Sequence, residues 1–233
     1  MAALPSYRFS PLGVLCLVGV IASLYLSLIY APPEVVMGDI QRIMYFHVAS
    51  AWVAEMAFLL VGLAGIVYLW RRERDWDILG HAAAEIGFVF CTLVLVTGPL
   101  WGKPVWGTWW TWDPRLTFSM ILWLIYVAYL MLRSYGNDMP QVKQFLAVLG
   151  ILGSLDIPFI HFATLWWRGL HPESLTIRQE GFGAGMEKEM LIALMVSAVT
   201  FTLFFFYLMG RRMALERMRD DVEELRERVE NRL

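Results

Sequence analysis

The chain has 233 residues, of which 58% are hydrophobic and only 17% are charged. A soluble domain of this length usually carries about a quarter charged residues, so the composition argues against a soluble globular protein. The formal net charge of −2 gives no indication of nucleic-acid binding. Cys16 and Cys91 each lie inside an apolar run, which favours small buried side chains over a disulfide or a metal site.

Six apolar runs are long enough to cross a bilayer, which takes about 20 helical residues. They cover residues 11–31, 43–70, 81–100, 118–132, 142–164 and 190–209. The fourth run is short and is expected to borrow residues from its flanks. The first is long and lacks a small-residue cleavage site, so we expect it to remain as a helix. The sequence therefore predicts an all-α, polytopic membrane protein with six transmembrane helices.

An even number of spans places both ends of the chain on one side of the membrane. Basic residues are somewhat more numerous on that side, which by the positive-inside rule favours cytoplasmic termini. The outer connections are then residues 32–42, 101–117 and 165–189.

The chain becomes strongly charged after residue 210, so we divide it into a transmembrane domain (1–210) and a cytoplasmic helical tail (211–233). Leu215, Met218, Val222, Leu225 and Val229 step by three and four, as in a coiled-coil seam. The tail is either a solvated amphipathic helix or a docking helix for a cytoplasmic partner or a second copy. The chain has no Walker sequence, so any ATP-driven step needs another subunit.

Tryptophan is concentrated in one outer connection, WGKPVWGTWWTWDPRLT at residues 101–117, which we call the tryptophan loop. It holds five of the eleven tryptophans: Trp101, Trp106, Trp109, Trp110 and Trp112. An interfacial aromatic belt explains one or two tryptophans at a helix end, but explains five in so short a segment poorly. Glycines and prolines between them shape the backbone, and indoles supply flat apolar area. A platform for a flat apolar ligand, ending at Asp113 and Arg115, is favoured over a plain belt.

The tryptophan loop resembles the WWD signature of heme-handling proteins in cytochrome c maturation, most closely that of the short CcmC family, the heme exporter protein C group. The resemblance extends from RIMYFHVASAW at residues 42–52 to IPFIHFATLWWRGLH at residues 157–171. It implies a multi-pass protein of the bacterial inner membrane that binds heme b transiently at the periplasmic face. The implied partners are a periplasmic heme chaperone that receives the heme, a small single-span subunit, and the ATPase and membrane subunits of an ABC transporter. We expect a heme-transfer factor rather than an enzyme.

Two of the four histidines fall level with the tryptophan loop. His47 begins the second span, and His171 follows the fifth span in an outer connection. Heme iron takes axial imidazole ligands, and the resemblance carries the family's two ligands onto these positions. His161, near the outer end of the fifth span, is the competing ligand, although we expect it to pack or to support the site. His81 lies across the hydrocarbon core, about 30 Å thick, and cannot share that iron.

Heme also carries two carboxylates, for which arginine is a favoured partner. The candidates are Arg115 and Lys103, with Arg42, Arg168 and Arg178 as alternatives. For each of them, interfacial snorkelling is an equally good explanation. Asp113 is expected to orient its own loop or Arg115.

Three acids, Glu55, Glu85 and Asp156, fall inside apolar spans, where ionisable groups are costly and usually face the interior. No lysine or arginine lies within the spans to pair with them, so we expect them to be protonated and hydrogen-bonded. Glu55 and Asp156 could form one polar cluster below the site. Asp156 precedes Ile157-Pro158, where a helix is expected to kink.

Three other functions are open to the same sequence. A heme permease would need a continuous polar or wide path between its helices. An electron-transfer cytochrome b would pair histidines deep in the membrane, but His81 and His161 lie toward opposite faces. The larger cytochrome c synthetases of the same superfamily have more spans and further domains than this chain can accommodate.

Overall fold

The computed structural model describes residues 10–136, 139–167, 169–171 and 186–230. Its elements are α1 (Pro11–Tyr25), which continues into a π-helical turn (Leu26–Tyr30), a short 3-10 turn (Asp39–Gln41), α2 (Arg42–Arg71), α3 (Arg74–Trp106), α4 (Pro114–Gly136), α5 (Pro140–Ser154), α6 (Asp156–Trp166) and α7 (Lys188–Glu230). Within the described ranges, six helical segments are long and apolar enough to cross a membrane. The predicted all-α architecture with six spans is confirmed.

The third span is longer than predicted, because α3 continues past residue 100 to Trp106. Pro99 and Pro104 lie within this helix and do not end it. It ends at Gly107, whose φ of 77° is left-handed and whose N–H donates to the carbonyl of Lys103 at 3.0 Å. The expectation that Gly102 and Pro104 shape a loop was therefore wrong, since the first part of the tryptophan loop is the last part of a helix.

The fourth and fifth spans follow their predictions. α4 extends the short fourth run at both ends. The fifth span is divided at Leu155 into α5 and α6. The kink was predicted there because Pro158 has no N–H to donate to the carbonyl of Ser154.

The core lies around α2 and α3, whose sides are covered by α4, α5 and α7. Phe58 stacks on Tyr126 with ring centroids 3.7 Å apart, in the middle of the bundle. α2 and α5 approach closely at Gly65, where an added Cβ would lie 2.7 Å from the carbonyl oxygen of Ala147.

α1 packs on α7 through buried hydroxyl groups. Ser23 donates to Thr200 at 3.1 Å, and the hydroxyl groups of Ser27 and Ser197 lie 3.4 Å apart. Small polar residues of this kind let transmembrane helices approach closely and hydrogen-bond across the contact.

The sixth span and the tail form one continuous helix, because α7 runs through residue 210 without interruption. The seam residues Leu215, Met218, Val222, Leu225 and Val229 are all exposed. The division into domains at residue 210 stays a prediction.

We call the end of the bundle that carries residues 101–117 the tryptophan end, and the other end, where α4 finishes and α7 leaves the bundle, the opposite end. Ion pairs connect the helices at the opposite end. Arg133 binds Asp77 in a bidentate contact of 2.6 and 2.8 Å, and both side chains are buried. Arg212 on α7 binds Glu85 on α3 and, at 2.6 Å, Glu216.

The expectation that Glu85 has no basic partner was wrong. α7 continues as a helix beyond the predicted end of the sixth span, and this brings Arg212 back against α3. A long guanidinium side chain near a helix end reaches the interface in this way.

Replacing Arg133 with Ala should lower the free energy of unfolding by about 3 kcal/mol, because it leaves the buried Asp77 carboxylate without its bidentate partner. Thermal unfolding in detergent, compared with the wild type, measures the loss. Arg217→Ala is the matched control, since Arg217 pairs with Asp75 at 2.9 Å on an exposed surface, where a pair contributes at most about 1 kcal/mol. Equal losses in the two variants would contradict a stabilising role for the buried pair.

Candidate functional site

Three segments that are distant in sequence meet at the tryptophan end. They are the start of α2 with His47, residues 101–115 at the end of α3 and the start of α4, and residues 169–171 after α6. His171 and Arg115 lie close enough to His47 for their charges to act on it. The two predicted axial histidines therefore lie in one region, as expected from their level in the predicted spans.

The carboxylate of Asp113 connects two of these segments. Its Oδ1 accepts the backbone N–H of Arg115 at 3.0 Å, and its carbonyl accepts Thr117 N–H at 2.9 Å, so Asp113 caps the start of α4. Pro114 follows at the first helical position, where the missing N–H is not needed. The Oδ2 atom of Asp113 accepts the backbone N–H groups of Leu170 at 2.8 Å and His171 at 3.4 Å. Asp113 therefore bonds within its own loop and also to the segment that carries His171.

Gly169 makes this contact possible. A Cβ atom at position 169 would overlap the Oδ2 atom of Asp113. The chain can approach the carboxylate closely enough for its N–H groups to bond only if residue 169 has no side chain. Because Asp113 is itself buried, with 7% of its surface exposed, it has little room to move away.

A hydrogen bond to Thr97 sets the tautomer of His47. The Thr97 hydroxyl donates to the carbonyl of Leu93 at 2.7 Å, so its oxygen must accept the proton of His47 Nδ1 at 2.8 Å. The Nε2 atom then carries the lone pair, and it has no hydrogen-bond partner among the described residues. A metal-binding histidine typically has this arrangement, with the second nitrogen held by a neighbouring group.

Trp106 joins the tryptophan loop to His171. Its ring lies over Gly102, where an added Cβ would be 3.1 Å away, and its centroid is 6.2 Å from the ring of His171. Trp101 meets Trp106 edge to face at 5.1 Å. The structure thus places the two helical tryptophans against the histidine.

The other three tryptophans lie on the connection between α3 and α4. Trp109 and Trp112 are exposed, and Trp110 is partly buried and meets Trp112 edge to face at 6.0 Å. The indole Nε1 atoms of Trp101 and Trp110 are buried without a hydrogen-bond partner in the described part of the chain. Orphaned indole donors of this kind are unusual in a finished core and are consistent with a ligand that completes the site.

Among the described basic candidates, Arg115 is the one whose guanidinium has no hydrogen-bond or ion-pair partner within the described residues. Its guanidinium is partly buried and forms no hydrogen bond or ion pair with a described residue. Lys103 donates to the carbonyl of Gly107 at 2.8 Å, and Arg42 donates to the carbonyls of Ser27 and Ala31 and to Asp39. Arg168 and Arg178 lie outside the described residues.

His161 is occupied by a carboxylate. Its Nε2 lies 2.7 Å from the Oε2 of Glu55 on α2, and the charge of Glu55 acts on Arg115. This pair therefore lies next to the site, and its hydrogen bond uses the Nε2 atom of His161, whereas the hydrogen bond of His47 to Thr97 leaves Nε2 available. Asp156, at the start of α6, has a buried Oδ2 with no partner among the described residues. Glu55 and Asp156 both act electrostatically on Cys91, which is consistent with one polar region below the site.

Sequence reasoning did not identify Thr97 or Gly169. Thr97 is a single hydroxyl in an apolar run, and Gly169 is one glycine in a loop, so neither has a local pattern that indicates its role. Both depend on contacts between segments that are far apart in sequence.

These features define a class: a polytopic α-helical membrane protein with an aromatic, histidine-containing site at one end of the bundle. The family model described as heme exporter protein C matches residues 3–228. The chain belongs to this family, CcmC.

Curated relatives with the same description cover most of the chain. The heme exporter protein C of Bradyrhizobium diazoefficiens is 36% identical over 195 residues, which is 84% of this chain and 73% of the relative. The one from Haemophilus influenzae is 32% identical over 217 residues, covering 93% and 87% of the two chains. The one from Escherichia coli K12 is 31% identical over 191 residues, covering 82% and 74%.

Gly169→Ala should separate residues 169–171 from Asp113, because the new Cβ cannot share the space of the carboxylate oxygen. Hydrogen–deuterium exchange of the purified protein should then be faster at the amides of Leu170 and His171. Gly210→Ala is the matched control, since no atom lies within 4 Å of an added Cβ at that helical position. Unchanged exchange at both amides would show that the contact is not needed to hold the segment.

Proposed function

We propose that the chain binds heme at the tryptophan end and delivers it to a periplasmic heme chaperone during cytochrome c maturation. The observation that carries the proposal is the contact of His171 with Trp106, together with His47 and Arg115, which lie close enough for their charges to interact; the Arg115 guanidinium has no hydrogen bond or ion pair with a described residue. Two imidazoles, a cation and an apolar aromatic wall are complementary to the iron, the carboxylates and the flat ring of heme. Heme is the cargo here, and it supplies the iron that the histidines hold.

His47 and His171 act as the axial ligands in this proposal. His47 would bind through Nε2, since Thr97 holds the proton on Nδ1. His171 is supplied by a segment whose backbone is fixed by Asp113. Two ligands from separate segments can each be released without unfolding the other, which suits a site that must give up its cargo.

The five tryptophans would contact the porphyrin in two groups. Trp101 and Trp106 form the inner wall beside His171, and Trp109, Trp110 and Trp112 form the outer part of the platform. Because Trp109 and Trp112 are exposed, with 55% and 73% of their surfaces accessible, this edge of the platform can contact a partner. Aromatic residues are enriched at interaction surfaces. We assign this edge to the chaperone.

Arg115 is the proposed partner of a heme carboxylate. A partly buried guanidinium without an anion is costly, and a bound carboxylate would supply that anion in a charge-assisted hydrogen bond. Asp113 forms no hydrogen bond with the guanidinium, because its oxygens accept backbone N–H groups, although its charge acts on Arg115. Asp113 acts on heme only through the residues that it positions.

The tryptophan end is proposed to face the periplasm and the chain ends the cytoplasm of a bacterial inner membrane. The ATP-driven step would belong to an ABC transporter with which the chain assembles, together with a small single-span subunit. The middle of the bundle is filled by packed side chains such as Phe58 and Tyr126, which favours display of heme over its passage between these helices. His81 and His161 contact different partners at different ends, which argues against a cytochrome b.

The axial assignment is tested by visible spectroscopy of the purified, heme-loaded protein. The wild type should give the low-spin spectrum of bis-imidazole heme. His47→Ala and His171→Ala should each lose it, and added imidazole should restore it by occupying the vacant position. His81→Ala is the control and should leave the spectrum unchanged. Low-spin bands that persist in both single variants would overturn the assignment.

Arg115→Met should weaken heme binding by about 10- to 100-fold, since a hydrogen bond to a charged group contributes about 1.5–3 kcal/mol. Titration of the apo protein with heme measures this loss. Heme dimethyl ester has no carboxylate charge, so the variant and the wild type should bind it equally well. Lys103→Met is the control, because Lys103 already donates to Gly107. A loss of the same size with the ester would show that Arg115 does not bind a carboxylate.

A further inference from the structure

A polar cavity of about 230 Å³ lies at the opposite end of the bundle, far from the proposed heme site. It lies between α3, α4 and α7, and its lining includes His81, Glu85, Arg133, Ser134, Arg212 and Arg219. None of these residues takes part in the proposed heme chemistry.

Hydrogen-bond donors exceed acceptors around this cavity. Arg219 forms no ion pair or hydrogen bond with a described residue. The Nε of Arg133 is buried and has no hydrogen-bond partner in the described part of the chain, because Asp77 is bound by the two terminal nitrogens only. Arginine has no acceptor atom, so each of these groups can be satisfied only by an anion or another acceptor.

His81 adds a third donor. Its Nε2 lies 3.3 Å from a terminal nitrogen of Arg212, which can only donate, and farther, at 3.5 Å, from a carboxylate oxygen of Glu85. The Nε2 atom therefore accepts, and the proton lies on Nδ1, which is buried without a partner among the described residues.

The charge balance of the cavity and its immediate neighbours is positive. Arg212 forms ion pairs with both Glu85 and Glu216. Asp77 forms ion pairs with Arg133 and, at 3.6 Å, with Lys143. Four cations, the fourth being Arg219, thus face three carboxylates. Among the described side chains, the excess positive charge lies on Arg219, which has no partner there.

The position of the cavity connects it with the lipid. Leu130, one turn before Ser134 on α4, forms its apolar edge, and the neighbouring Met131 is exposed on the surface of a membrane-spanning helix. The apolar part of α7 ends before Arg211, so Arg212 and Arg219 lie where this helix becomes charged. A phosphate at this depth would be at the height of lipid headgroups, with its acyl chains beside α4. Basic pockets between transmembrane helices bind anionic headgroups in this way.

We propose that this cavity is a binding site for a phosphate group carried by an anionic phospholipid. Arg219 would contact the phosphate directly, with Arg133 and His81 as further donors and the Ser134 hydroxyl oxygen beside them. The lipid would join α3, α4 and α7 at the end of the bundle where α7 leaves the membrane. The proposal does not depend on heme binding at the other end.

The test is the binding of phosphatidylglycerol to the purified full-length protein, measured by native mass spectrometry from detergent. Arg219→Gln should weaken binding about fivefold, the effect of one basic residue near an anionic headgroup. Arg217→Gln is the matched control. It removes the same charge two residues away on the same helix, but Arg217 pairs with Asp75 and does not line the cavity. Phosphatidylcholine should bind weakly to all three proteins.

Competition with inorganic phosphate distinguishes a phosphate group carried by a lipid from free phosphate. If phosphatidylglycerol binding depends on Arg219 and millimolar phosphate does not displace the lipid, the lipid site is supported. If inorganic phosphate binds in an Arg219-dependent way and the lipid does not, the lipid assignment is overturned. Equal lipid affinities for the Arg219 and Arg217 variants would overturn the site altogether. Equal thermal stability of these two variants checks that neither result comes from misfolding.

Discussion

The tryptophan end depends on one carboxylate. Asp113 accepts three backbone N–H groups, one from the start of α4 and two from the segment that carries His171. These bonds hold the backbone of Leu170 and His171, and the contact between the rings of His171 and Trp106 connects the same segment to the end of α3. The carboxylate is buried, so its bonds are protected from competition with water, and Gly169 leaves the space that they require. A charged acceptor of several N–H groups is among the stronger hydrogen-bonded arrangements in proteins.

The two ends of the bundle differ in whether their arginine side chains are paired with carboxylates. At the opposite end, Arg133 and Arg212 are bound by carboxylates, as buried charges usually are. At the tryptophan end, the guanidinium of Arg115 is partly buried and has no hydrogen-bond or ion-pair partner among the described residues, and its charge acts on His47. Paired charges stabilise a fold, whereas a cation left without its anion suits a site that is completed by its ligand. We therefore propose Arg115 as the partner of a heme carboxylate. Lys103 and Arg42 are less suitable, because their side chains already donate hydrogen bonds within the protein.

Much of the fold could be predicted from the sequence, because bilayer thickness fixes the length of an apolar span. The division of the fifth span followed from Pro158. The extension of α3 to Trp106 could not be predicted, since Pro99 and Pro104 are tolerated in a helix whose neighbours support it. The position of the tryptophan loop and the level of His47 and His171 followed from the spans together with the motif. Thr97, Gly169 and the Glu85–Arg212 pair could not be found in this way, because each depends on contacts between helices or loops distant in sequence.

The most direct test of the heme site is the structure of the heme-loaded protein, determined by electron cryomicroscopy with a bound antibody fragment to increase its size. We predict density for heme between Trp106 and residues 169–171, with iron bound by the imidazoles of His47 and His171 and a carboxylate at Arg115. Iron bound by His161, or heme lying on the lipid-facing side of the tryptophans without contact to His47, would contradict it.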